Sequence, residues 1–524
     1  MEKISERMKD IGGTTVFNWF RIGLLLLLVM PGSLIAQTKR KVEIEQADAL
    51  LHNEAIIANA QRLIGNVRIR HNNIVMWCDS AYSYTDVNVV DGFGNVHILK
   101  DDTLHLYADF VNYNGDTKWA RARRHVKLIN KTTTLTTDSL NYDMNVGIGY
   151  YDNYGTIVDS TSTLNSKIGE YYVDEDRAYF KTEVKTVTED YTLESDTLIY
   201  ELGTGVASIV GPTNIYDEKN NLYAIDGYYN TRTGKADLYK RPVITSKEQN
   251  ITADSIFYDK VTGNGLARGN ADIHDLKNKV IVKGNRAVYN DIEETSQVTD
   301  SAQFWFYSEQ DTLFLHADTL KTIPDSIAGE KIVQAYFDVR FYRADMQGKC
   351  DSLVYWSKDS TIQLFREPVI WSEANQMTAD YIEMITVDRE NQTIDMKGNS
   401  FIIAQEDSAK YNQIKGRDMT GFVRRKDLYR IDVDGNGESL YYARDDNGII
   451  GLNKAQGSNI QIFLKERKVV RIVFVTSPDG QLSPVAEVTE EEKILPGFVW
   501  LDEIRPKSYS DIFLNKTIVT GKKK

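Results

Sequence analysis

Short stretches in which apolar and polar residues alternate recur along most of the chain. They include GNVRIR (65–70), GNVHIL (94–99), RHVKLI (124–129), GPTNIYD (211–217), RPVITS (241–246), GNADIHD (269–275), EPVIWS (367–372) and GNSFIIA (398–404). Period-two alternation bounded by Gly, Asn and Pro predicts a half-buried strand after a tight turn. Pro212, Pro242 and Pro368 share one place at the strand start, where a missing N–H is tolerated. From 40 to 480 no segment carries a helical period, so the expected elements are strands, about three short ones per repeat.

A second phrase, Asp-x-x-x-x-Tyr, interleaves with the first. Copies such as CDSAYSY (78–84), YADFVNY (107–113), TTDSLNYD (136–143), ESDTLIYE (194–201) and TADSIFYD (252–259) place aspartates at 79, 109, 138, 196, 226, 254, 318, 351 and 380. Successive copies lie about 30 residues apart, or about twice that where a degenerate copy intervenes, the mark of a repeat architecture. In the copy GFGNVHILKDDTLHLYADFVNY (92–113), Gly94 and Asn95 are expected to turn the chain and Asp109 to open the next strand. A unit this small cannot close its own core and must stack on its neighbours. The fold class that follows is all-β, an elongated antiparallel solenoid of ~30-residue repeats with a small C-terminal extension. Beyond Ser477 four prolines and the acidic stretch TEEEK predict a short helix and a tail.

Composition agrees. Thirty tyrosines and only nine prolines in 524 residues suit pleated surfaces. Residues 1–36 stand apart: Lys3, Arg7, Lys9 and Arg21 precede or flank the run IGLLLLLVM (22–30), and LIAQ follows a Pro-Gly-Ser step. That apolar run is too short to span roughly 30 Å of hydrocarbon and reads as a secretory signal with a cut after Ala36. The rest carries 58 basic and 72 acidic residues, which argues against nucleic acid as a partner. Cys78 and Cys350 fit no metal or redox spacing and are expected to be separate structural thiols.

The combination of export, GNVxI strands and TLxADxxxY phrases about every 30 residues resembles the OstA/LptA family of lipopolysaccharide-transport proteins. The phrases GNVHILKDDTLHLYADFVNY and RPVITSKEQNITADSIFYD carry the resemblance most closely, and it runs over about 42–420. It implies an open-edged β-jellyroll, V-shaped in section, whose greasy interior holds lipid A acyl chains, and which stacks end to end with other jellyroll components of the export machinery by β-strand addition. The implied division is a signal peptide (1–36), two OstA-like β-jellyroll regions (37–230 and 231–420), a C-terminal β region (421–480) and an extension (481–524). The roughly 100 residues after 420 are too few for an outer-membrane barrel. The implied role is a non-catalytic bridge for lipopolysaccharide in the periplasm or at the outer membrane. Alternation puts Val67, Ile69, Val96, Ile98, Val126 and Leu128 on one face. With Phe110, Leu140, Leu198 and Ile256 they form the expected lipid-facing interior, although a simply filled core requires the same pattern. Strands near 42–57 and 459–475 are the expected docking edges.

No catalytic group, metal site or cofactor is expected. The seven histidines form no HExxH pair, and His97 with His105 fits a surface pair across the Asp-Asp turn. The run from Asp432 to Gly437 starts like a calcium loop but has Ala443 where a bidentate Glu is needed. Gly203-x-Gly205 and Gly263-x-Gly265 lack the helix and third glycine of a dinucleotide loop. The rival classes are an extracellular β-solenoid with a structural or adhesive role and a β-helical polysaccharide-active enzyme. An enzyme would concentrate its carboxylates in a few adjacent coils, whereas these are spread evenly, once per repeat.

Overall fold

In long strands a two-residue break in backbone handedness decides the path of the chain. The computed structural model describes residues 41–514 apart from 53–58, 160–161, 189, 219, 309–310, 328, 389, 426, 446–447 and 466–467. Among them, 38 strands join into one antiparallel sheet, and the only helical turns are short 3-10 segments near the C-terminus. The fold is all-β. Typical strands run Gln61–His71, Ile74–Tyr84, Val89–Lys100 and Leu104–Asn114, each paired with the next. A repeat thus holds two long strands rather than three short ones, although some copies divide at the break into two.

The break consists of two successive left-handed residues. Gly65–Asn66, Gly94–Asn95, Gly269–Asn270, Gly398–Asn399 and Gly435–Asn436 all have positive φ, as do Arg124–His125, Thr182–Glu183 and Arg366–Glu367. The pairing register shifts at each such place, for example between Phe93 and Val96. Gly94 and Asn95 therefore bend a strand at a bulge and do not join two strands. At φ +72 a side chain on Gly94 would be strained, and its Cβ would lie 2.4 Å from the Asp79 carboxylate. Asn at the second place tolerates the left-handed region.

The recurrent aspartate closes this corner from the neighbouring strand. Asn95 donates its side-chain amide to Asp79 at 2.9 Å, and Asn66 to Asp48 and Asn270 to Asp254 do the same at 2.9 Å. Asn399 donates to Asp380 at 3.0 Å, and the aspartate's own N–H reaches the corner glycine carbonyl in the pairs 48–65, 254–269 and 380–398. At two corners that lack Gly-Asn a basic side chain takes the place: His125 meets Asp109 at 2.9 Å and Lys240 meets Asp226 at 2.7 Å. Asp109 accordingly sits in the middle of Leu104–Asn114 and does not open it.

The corner also resets the alternation. Leu63 and Val67, four residues apart, keep the plain alternation across Gly65 and Asn66, and the phase changes on the facing strand, where Cys78 and Ala81, three residues apart, are both buried. By the same shift Ala108 and Val111 point inward while Asp109 and Phe110 point out. Phe110 is therefore not an interior residue. It lies on the outer face, tilted against Phe93 with ring centroids 5.0 Å apart. The loop-like run at 432–437 is likewise part of the strand Asp427–Asp445, with its corner at Gly435–Asn436. The TEEEK stretch is a turn closed by Thr489 and Glu492, and the short helices lie at Val485–Glu487, Asp502–Ile504 and Tyr509–Phe513. Both cysteines are buried free thiols. The signal-peptide reading falls on residues outside those described.

Replacing Gly94 by Ala should strain the corner at both φ and the Asp79 contact. Hydrogen exchange should report a loss of about 1–3 kcal/mol in local opening free energy for strands Ile74–Tyr84 to Leu104–Asn114, with distant strands unchanged.

Candidate functional site

Cross-strand pairing turns the buried alternation into long apolar rows. One row steps through Ile69, Met76, Ile98, Leu106, Leu128 and Leu135 on successive strands. It continues by direct register through Ile157, Leu164, Thr186, Leu193, Ile215 and Leu222. Beyond these it runs on through Ile244, Ile251, Ile273, Val282, Phe304 and Leu315. Phe341, Gly348, Ile370, Met377, Ile402 and Ile414 complete it. A second row on the other side of the corner holds Leu140, Leu198 and Ile256. Val67, Val96 and Val126 sit next to the corner itself, opposite Cys78, Ala108 and Thr137.

The rows are filled differently in the two halves. Val67, Ile69, Val96, Ile98, Val126, Leu128, Leu140, Leu198 and Ile256 are at most 2 % exposed, so protein side chains already occupy their surroundings. A third row explains why. Tyr113, Tyr142, Tyr171, Tyr200, Tyr229 and Tyr258 are spaced 29 residues apart, with Ala120, Gly149, Ala178, Ala207 and Ala236 between them across the pairs. Each ring lies over a small neighbour, as at Gly265, where a Cβ would meet the Tyr289 ring at 1.8 Å. Three of the buried hydroxyls find partners, Tyr113 with His71 at 2.7 Å, Tyr171 with Asn130 at 3.1 Å, and Tyr200 with Thr231 at 2.9 Å, whereas the Tyr142 hydroxyl makes no hydrogen bond. Burial drives the hydroxyl pKa of Tyr171 and of Tyr229 up to about 12, and pushes Tyr113 and Tyr142 upward too.

The tyrosine row ends at Tyr289. Its continuation passes through Ser296, Thr322, Val333, Tyr355, Ile362 and Met384. Already from Ile244, alongside the last two of these tyrosines, the interior is less completely covered. Among the described residues the first core has six partly buried apolar neighbours and the second has seventeen, including Ile244, Ile273, Val282, Phe304, Met346 and Ile414. Alanines at 253, 267, 271, 287, 302 and 317 run along the buried spine of this second core. Small residues at the spine leave the larger side chains at the flanks with one face bare. The second half thus presents a lengthwise, half-covered apolar lining. These residues stood in the quoted strands RPVITS, GNADIHD and GNSFIIA, and the end of the 29-residue tyrosine spacing was the signal that the lining changes there.

Residues 39–196 match the family model described as OstA-like protein. This stretch is an OstA-like domain. No curated protein matches the chain. OstA-like proteins in general form a non-enzymatic transport and binding family, located in the periplasm and associated with lipopolysaccharide transport. The OstA-like match covers the first three tyrosines of the row, Tyr113, Tyr142 and Tyr171, and the half-covered lining lies C-terminal to it, carried on by the same registers. Polar features sit elsewhere. A depression of about 450 Å³ is lined by Glu183, Lys185, Glu194, Ser195, Asp196 and Asn214, away from the apolar rows. His97 and His105 pair on the outer face at 3.0 Å, where burial and the second ring hold the His97 pKa down.

The buried tyrosines give the closed half an alkaline limit. Their folded pKa values lie above the ordinary value near ~10, so their contribution is fully present below that pH and is lost as pH climbs through about 12. Tyrosinate absorbance should therefore appear in two steps, exposed rings first and then a cooperative step coincident with loss of near-ultraviolet ellipticity. Replacing Tyr171 by Leu should lower the pH of the second step.

Proposed function

We propose that the chain is a lipopolysaccharide carrier, a non-catalytic bridge whose second half holds lipid A acyl chains against the half-covered row. The observation that carries this reading is the largely apolar row from Ile69 to Ile414, packed shut in the OstA-like domain and half-buried at Ile244, Ile251, Ile273, Val282, Phe304 and Ile414. Each methylene moved from water onto such a surface gains about 0.8 kcal/mol. Several similar contacts in file favour a chain that slides rather than one held at a single station. In this reading Ile69, Ile98 and Leu128, with Val67, Val96, Val126, Leu140, Leu198 and Ile256, are the closed continuation of the wall that the acyl chains line. The protein acts in the periplasm, exported by residues 1–36, and its two jellyroll regions span 37–230 and 231–420. Its neighbours are other jellyroll components joined by strand addition. The strands available for this are Glu43–Gln46 and Ala49–His52 at one end and Lys468–Val475 at the other. Each of these pairs on one side only among the described residues.

A photoreactive residue at Phe304 or Ile273 of the full chain, incubated with lipopolysaccharide, should capture lipid. The same residue at Leu128 should capture at least tenfold less. Capture at none of the three would overturn the reading, and capture at Leu128 alone would place the lipid in the closed half instead.

A further inference from the structure

The outer face of one wall of the half-covered lining is overlaid by the chain's own C-terminal segment. After the strand Asp479–Ser483, residues 484–514 run back across the sheet in the direction opposite to chain order. Glutamines on the sheet grip the segment's backbone. Gln413 donates to the Lys493 carbonyl at 2.9 Å and accepts from the Leu495 N–H at 2.8 Å. Gln376 repeats the grip with the Val499 carbonyl at 2.8 Å and the Leu501 N–H at 2.7 Å. Further along, Arg505 donates to Gln347 at 2.8 Å, Arg340 donates to the Ile512 carbonyl at 3.2 Å, and the Tyr509 hydroxyl donates to Gln303 at 2.9 Å.

These contacts follow the registers of the wall. Gln413, Gln376 and Gln347 belong to one outer cross-strand row, joined through Ile403 and Trp371. Beside them in sequence stand Ile414, Met377 and Gly348 of the inner apolar row. All three glutamines are at most 3 % exposed, and Leu495 and Ile512 of the segment are at 1 % and 0 %. In the OstA-like domain the corresponding outer row, through Arg70, Val75, Leu99, His105 and Ile129, stays partly exposed except at Val75. The overlay is thus found where the tyrosine row has ended.

We propose that residues 484–514 form a strap that braces this wall from outside and keeps the apolar lining from closing on itself when it is empty. The inner face of this wall is half-buried at Phe304, Met346 and Ile414, between buried residues at Phe341, Ile370 and Met377, and such a wall gains by folding further onto the opposite one, as the first half does around its tyrosines. Backing the wall with a second layer, fixed by paired amide bonds, stiffens it against that collapse. The strap is therefore a positioning device for the lipid-carrying surface, and it rests on that reading of the surface only for its purpose.

The test uses the full chain with spin labels at Lys358→Cys and Ala374→Cys, exposed turn positions on opposite sides of the corner, both native thiols being buried. Leu495→Asp with Ile512→Asp places charge in the strap's buried seats and leaves the sheet intact. Gln376→Ala with Gln413→Ala loosens the seat instead. Hydrogen exchange of 484–514 reports release, and unchanged exchange in strands Gln61–His71 to Thr133–Asp143 reports intact folding elsewhere. With the strap released, the label separation should shorten by about 5 Å or more, toward the ~10 Å face-to-face spacing of closed sheets. An unchanged separation with the strap free would overturn the brace. A strap that stays protected in both variants would also overturn it, by showing an integral layer. No lipid enters the measurement, so its result stands apart from capture at Phe304.

Discussion

The carboxylate-closed corner is the constraint on which the rest of this protein depends. Two consecutive left-handed residues bend a strand, and an aspartate on the adjacent strand ties the bend with one side-chain amide or one cation. Stacked antiparallel strands can share a bend only if every strand bends at the same height. Once Gly65–Asn66 and Asp48 set that height, Gly94–Asn95 and Asp79 must meet it, and so on along the sheet. The repeat length follows from this, because two bent strands and their two turns occupy about thirty residues at roughly 3.3 Å per strand residue. The inner rows follow as well, since a fixed bend keeps Leu63, Val67 and their counterparts on one side.

Much of this was legible in the sequence, and the parts that were not have identifiable reasons. Gly-Asn and Asp recur with a visible period, so the strand class and the interior places of Val96, Ile98 and Leu128 could be read directly. That the two motifs bind each other could not, because the partners lie 14 to 19 residues apart and belong to different strands. Asp109 therefore looked like a strand start, and the two bent strands of a repeat looked like three short ones. Phe110 failed for a related reason: plain alternation has no means of showing where a bulge spends an extra residue. The strap was hidden more deeply. Its grip comes from Gln303, Gln347, Gln376 and Gln413, ordinary polar residues scattered through unremarkable strands, and from a segment whose prolines and acids suggested only a tail.

The contrast between the two halves comes from one repeated choice of residue. A tyrosine over alanine or glycine fills the space between the walls and ties off its hydroxyl locally, as Tyr171 does with Asn130. From Ile244 onward the same registers continue but the fill is thinner, and after residue 289 Ser, Thr, Val, Ile and Met take most of the tyrosine places. One backbone plan thereby yields a rigid, self-satisfied stretch and a stretch with apolar surface to spare, without any change in topology.

The strap is also the last described part of the chain to be made. Until it emerges, the outer cluster around Phe401, Ile403, Leu440, Tyr442 and Leu452 lacks Leu495, the strap residue buried among them. The wall's inner face is half bare at the same moment. A nascent chain stopped short of residue 484 would thus show apolar surface on both sides of a single sheet, the condition under which sheets pair with foreign edges. Addition of residues 484–514 clothes one of those sides, so the state of this sheet is decided by a segment made after all of its described strands.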